Sequence, residues 1–83
     1  MHILVIPKGR YVSSADFAAK ASDAEIAGLM RAVGEVARGH DLEGPGYRIL
    51  ANHGAGAGQV VPHFHIHVFG GRPLGPMLSG GTH

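Results

Sequence analysis

The sequence predicts an α+β fold, an antiparallel sheet with one main helix packed on it, and three observations carry that prediction. From His63 to Phe69 the chain alternates histidine with apolar residues, the period of a half-buried strand. From Ser22 to Gly39 it shows a helix start signal, a 3.6-residue apolar stripe and a glycine stop. The connection between the two later strand-like runs is too short for a helical crossover, so they must run antiparallel. Strands gathered around one capped helix define the α+β class.

Taken in order, Ile3 to Ile6 is a continuous β-branched-rich run ended by Pro7, which suits a buried strand. Pro7-Lys8-Gly9 reads as a turn. A short helical turn capped by Ser13 or Ser14 is expected before Ala21. Ser22-Asp23-Ala24-Glu25 is a capping box, the serine hydroxyl accepting from the amide three residues on while Glu25 reaches back. Ile26, Leu29, Met30, Val33 and Ala37 follow at helical spacing and are expected to face the core, and Gly39 to end the helix. Asp41 to Gly46 reads as a loop, Tyr47 to Ala51 as a strand, and 52–59 as a glycine-rich connection into the histidine strand. A single domain over 1–78 is expected, with a disordered tail at 79–83.

Composition narrows the classes of function. Eighty-three residues hold one small domain with a thin core, which dimerisation would help. With no cysteine, disulfides and cysteine-based zinc sites are excluded. A formal charge of +1 without a Lys/Arg cluster argues against nucleic acid as a partner. The four-residue apolar run at the start is too short for a leader or a membrane span, so a cytoplasmic chain with no membrane partner is expected. A strand that opens at residue 2 suggests that upstream elements have been lost or not included.

On a strand, His63, His65 and His67 share one face, with successive rings roughly 6–7 Å apart. Three chemistries fit such a row. It could be the wet face of a surface strand, although three histidines at alternate positions suit that poorly. It could hold a metal, since three imidazoles with an open fourth position describe a catalytic zinc site, but ligands must converge on one point and same-face strand residues point in parallel. Or a neutral imidazole could attack phosphorus and form a covalent phosphoramidate, splitting one hard displacement into two easier ones. That needs a second nitrogen fixed by a backbone carbonyl, and a neighbouring imidazole to hold phosphate or protonate the leaving group. The glycines at 54, 56 and 58 would let backbone amides approach phosphate, and Asn52 and Gln59 flank the same loop as donors or acceptors.

His63-Phe64-His65-Ile66-His67-Val68-Phe69 resembles the His-φ-His-φ-His-φ-φ signature of the histidine triad (HIT) family, φ being apolar. His2-Ile3-Leu4-Val5-Ile6-Pro7-Lys8, Gly46-Tyr47-Arg48, Asn52-x-Gly54, Gly58-Gln59-x-Val61 and Gly70-Gly71-Arg72 resemble its nucleotide-binding Hint branch, in one register over about residues 2–78. A third histidine at position 67, rather than glutamine, is similar to the hydrolase branches. The resemblance implies a hydrolase acting at the α-phosphate of a purine nucleoside phosphoramidate or dinucleoside polyphosphate. It implies His65 as nucleophile, His67 binding phosphate and assisting protonation, His63 orienting the site, and His2 beside the nucleophile. Asn52, Gly58, Gln59 and Val61 match positions that contact ribose or phosphate. An AMP-like purine nucleotide is the implied ligand, a homodimer the implied assembly, and no cofactor is required, zinc being the alternative.

Two departures stand out. Arg10 occupies a position where the Hint branch often has histidine. Family domains also carry roughly 30–40 further residues before the His2 strand, large against an ordinary small domain, and those residues supply sheet strands and part of the nucleoside grip. Two further functions stand beside the hydrolase: a nucleotide-binding module with little turnover, because of the missing segment, and a metal-binding protein using the histidine row.

Overall fold

The computed structural model describes residues 1–77, so the tail expected at 79–83 lies outside the described residues. The elements follow as β1 (His2–Val5), α1 (Ser14–Lys20), α2 (Asp23–Gly39), β2 (Tyr47–Leu50), a single 3-10 turn (Ala55–Ala57) and β3 (Ile66–Gly70). The sheet has the order β1-β3-β2 and both pairings are antiparallel. The histidine strand is thus the central one, flanked by Leu4 and Leu50 on either side of His67.

Both helix starts form as their sequences dictate. Ser13 caps α1, its hydroxyl accepting from the Asp16 amide, and Asp16 then pairs with Lys20 one turn on. The capping box of α2 is complete: Ser22 Oγ accepts from the Glu25 amide, and Glu25 Oε1 accepts from the Ser22 amide.

The end of α2 differs from expectation. Gly39 is still helical, and the left-handed residue is Asp41, with φ 57°. The Leu42 amide donates to the Ala37 carbonyl and the Asp41 amide to that of Arg38, the paired bonds of a Schellman cap. Aspartate visits that conformation more readily than most residues because a short polar side chain can hydrogen-bond to nearby backbone. The cap turns Leu42 back under the helix, where it is buried with Val5, Phe17, Leu29, Val33, Ala37, Phe64, Ile66 and Val68.

The helix stripe also needs correction. Leu29, Val33 and Ala37 are buried, but Ile26 and Met30 remain 37% and 51% exposed. Helix α2 packs against β1, leaving the helix-side face of β2 open. Ile49, paired with the buried Val68, is accordingly 41% exposed. No helix among the described residues is long and apolar enough to cross a membrane.

Candidate active site

The histidine segment alternates inward and outward as its sequence requires. Phe64, Ile66 and Val68 are buried, and His63, His65 and His67 lie half-buried on the opposite face. The regular strand is shorter than the pattern suggested, beginning only at Ile66. Pro62 has no amide to offer a neighbour, and the His63 amide turns back to the Val61 carbonyl at 2.8 Å. The Phe64 amide then donates to the Tyr11 carbonyl, which moors the segment before the ladder starts.

This approach gives His65 its geometry. His65 Nδ1 lies 2.7 Å from the carbonyl oxygen of His63. A carbonyl can only accept, so Nδ1 carries the proton, and in the neutral ring the lone pair is on Nε2. His67 adjoins it edge-on, with ring centroids 4.9 Å apart. On the far side of His67, His2 Nε2 and His67 Nδ1 share a hydrogen bond of 2.7 Å. His2 also stacks on Phe69 at 4.2 Å, so β1 and β3 together hold its ring. The pairing of His2 with Phe69 across the two strands brings residues 65 positions apart into this contact. Burial, then the charges of His65 and His2, hold the His67 imidazole below its ordinary pKa, favouring the neutral ring. His63 Nε2 is buried without a hydrogen-bond partner. Among the described residues, no group of three or more potential ligands is arranged to hold a metal ion.

The loop ahead of the histidines is built by its glycines and by Gln59. Gly54 has φ 75° and ψ 169°, a region open essentially to glycine alone, and Gly58 is left-handed at φ 81°. The amides of Ala57 and Gln59 both donate to the Gly54 carbonyl, and that of Gly58 donates to Ala55. The Gln59 side chain closes the loop, Oε1 accepting from the Gly54 amide at 2.8 Å. Its Nε2 donates to the carbonyls of Val12 at 2.6 Å and Val61 at 3.1 Å. Its amide group is therefore engaged with backbone, and it ties the loop to a segment 47 residues away. Asn52 is half-buried at the loop entrance, while Val61 is exposed at its exit. The mooring by Tyr11 and Val12 was invisible in the sequence, because their backbone carbonyls do the holding and no local pattern marks a carbonyl.

A family model for the HIT domain matches residues 1–74. The chain belongs to the HIT family. It is 68% identical over 80 residues to an uncharacterized 13.2 kDa HIT-like protein of Azospirillum brasilense, covering 96% of this chain and 66% of that protein. It is 36% identical over 78 residues to the purine nucleoside phosphoramidase of Escherichia coli, covering 94% and 65%. Among solved structures, a HIT family hydrolase from Clostridium thermocellum superimposes with a TM-score of 0.79 at 34% identity, covering 92% of this chain and 65% of that one. A HIT family hydrolase from Legionella pneumophila gives 0.77 at 29% identity, covering 99% and 70%. This HIT chain spans about two thirds of the length of the curated relatives it matches.

Proposed function

We propose that the protein is a nucleotide hydrolase that cleaves at the α-phosphate of a purine nucleoside phosphoramidate or dinucleoside polyphosphate through a nucleotidyl-histidine intermediate. The observation that carries this reading is the 2.7 Å contact between His65 Nδ1 and the His63 carbonyl, which presents Nε2 as an unprotonated nucleophile. Nε2 attacks the α-phosphorus and the bond to the leaving group breaks. Water then displaces the histidine, releasing the nucleoside monophosphate.

His67 takes the second role. When His2 Nε2–H donates to His67 Nδ1, His67 presents Nε2–H, the form that can hold a phosphate oxygen and protonate a departing amine. His2 thereby sets the tautomer of His67, and His63 orients the nucleophile. Asn52, Gly58, Gln59 and Val61 form the ribose and phosphate side, Gln59 acting through the loop it clamps. The name of the Escherichia coli relative supports a purine nucleoside phosphoramidate as substrate. No cofactor is needed for these steps. A homodimer is part of the proposal, supported by the exposed Ile26 and Met30 on α2 and Ile49 on β2.

Incubation with an adenosine 5′-phosphoramidate tests the mechanism. The protein releases AMP, and His65→Ala stops release while AMP binding, followed by calorimetry, persists. Hydrolysis that survives His65→Ala refutes the nucleophile. AMP binding without turnover in the unaltered chain makes it a binding module instead.

A further inference from the structure

A cleft opens beside the histidines, of about 310 Å³, between the segment after β1 and the turn before β3. Lys8, Arg10, Tyr11, Val12, Pro62 and His63 line it. The last registered pair of β1 and β3 is Val5 with Ile66, and three residues further along each strand lead to Lys8 and His63. His63 is the residue whose carbonyl holds the nucleophile, so the cleft adjoins the reacting centre. It carries two cationic side chains, both exposed, and His63 forms part of its wall. The two ion pairs of the described residues, Lys20 with Asp16 and Arg38 with Glu43, involve neither Lys8 nor Arg10. Two acids approach this segment: Asp16 accepts from the Val12 amide at 2.9 Å and pairs with Lys20, and Glu25 borders Lys8 on its other side. Glu25 already accepts from the Tyr11 hydroxyl at 2.6 Å and from the Ser22 amide. Among the described residues nothing engages the Arg10 guanidinium, a fork suited to phosphate oxygens.

We propose that this cleft is a leaving-group subsite in which Arg10, assisted by Lys8, selects substrates whose leaving group is a phosphate chain over those that release a neutral amine. The inference rests on the nucleotidyl-histidine reading and assigns its leaving group. His65 Nε2 donates its lone pair to the α-phosphorus, and the bridging P–O bond breaks with its electron pair on the departing phosphate oxygen. That oxygen leaves as an anion beside Arg10 and needs no proton, whereas an amine must be protonated as its P–N bond breaks. Water then gives hydroxide to phosphorus and a proton to the medium, the N–P bond breaks, and His65 is restored.

The test measures kcat/KM for diadenosine tetraphosphate, which releases ATP, and for an adenosine 5′-phosphoramidate with a neutral amine, in the unaltered protein, Arg10→Ala and Arg10→Lys. Losing one charge-assisted contact should lower the tetraphosphate-to-phosphoramidate ratio about tenfold in Arg10→Ala. Arg10→Lys should retain part of it, and added salt should narrow the difference. A ratio that stays within about twofold, an equal fall for both substrates, or an unaltered protein that cleaves only the phosphoramidate overturns the inference and leaves the mechanism standing. Failure to cleave either substrate overturns the mechanism itself.

Discussion

Gln59 is the side chain on which the site-bearing loop hangs, and replacing it by alanine removes three hydrogen bonds at once. Two of them close the loop on itself, and the third ties it to Val12. A neutral hydrogen bond contributes about 1 kcal/mol net, and the partly solvated positions here let water recover some of each, so Gln59→Ala should cost about 1–3 kcal/mol. Urea denaturation should show a lower midpoint with an unchanged slope. Gln59→Glu sharpens the reasoning. The carboxylate can still accept from the Gly54 amide, but it sets negative charge against the carbonyls of Val12 and Val61, which only accept. Near neutral pH the glutamate variant should be no more stable than the alanine variant. Facing two carbonyls, its carboxyl should titrate above the ordinary range, because protonation restores a donor. Its deficit relative to the unaltered protein should therefore shrink as pH falls through that raised value. A glutamate variant as stable as the unaltered protein at pH 7, or one whose deficit ignores acidification, refutes the clamp.

Two further outcomes follow from the geometry. A Cβ at Gly70 would sit 2.9 Å from Leu42 Cδ2 and 3.0 Å from Cδ1, and buried Leu42 has no room to swing aside. Gly70→Ala should cost about 1–3 kcal/mol by overpacking, and in a urea-denaturation double-mutant cycle with Leu42→Ala the combined loss should be smaller than the sum; strict additivity argues against the contact. For His67 the pKa is depressed in the folded state, so its contribution to stability is present above the ordinary histidine value and is lost as pH falls through the lower, folded one. The His67→Gln variant should lose stability less steeply on acidification below about pH 6.5 than the unaltered protein, as thermal melts would show, and parallel pH profiles would count against it.

Much of this molecule was legible in the sequence because its strongest signals are local. The capping box at Ser22, the alternation through Val68 and the antiparallel pairing of β2 with β3 each depend on residues close together in the chain. What escaped reading depends on distant partners. Met30 matches the helical period but meets no sheet, because α2 lies against β1 rather than centrally. Leu42 sits in a stretch with loop composition, yet the Schellman cap carries it into the core. The late start of β3 follows from the 61–63 turn, which alternation alone cannot register. In the site, the row of histidines and the need for a backbone carbonyl behind the attacking ring were legible, but not which carbonyl serves, two residues back, nor the histidine across the sheet that meets the next ring.

The bond from His65 to residue 63 has an evolutionary corollary. Its acceptor is a peptide oxygen, which any amino acid at position 63 would provide. Drift at that position would leave the contact to His65 Nδ1 intact, so the carbonyl places no demand on the side chain. Whatever favours an imidazole there must act through the ring, whose Nε2 is buried and unpartnered. Residue 63 thus answers to two separate constraints, one of backbone shape and one of side-chain identity, and substitution can lift the second without disturbing the first.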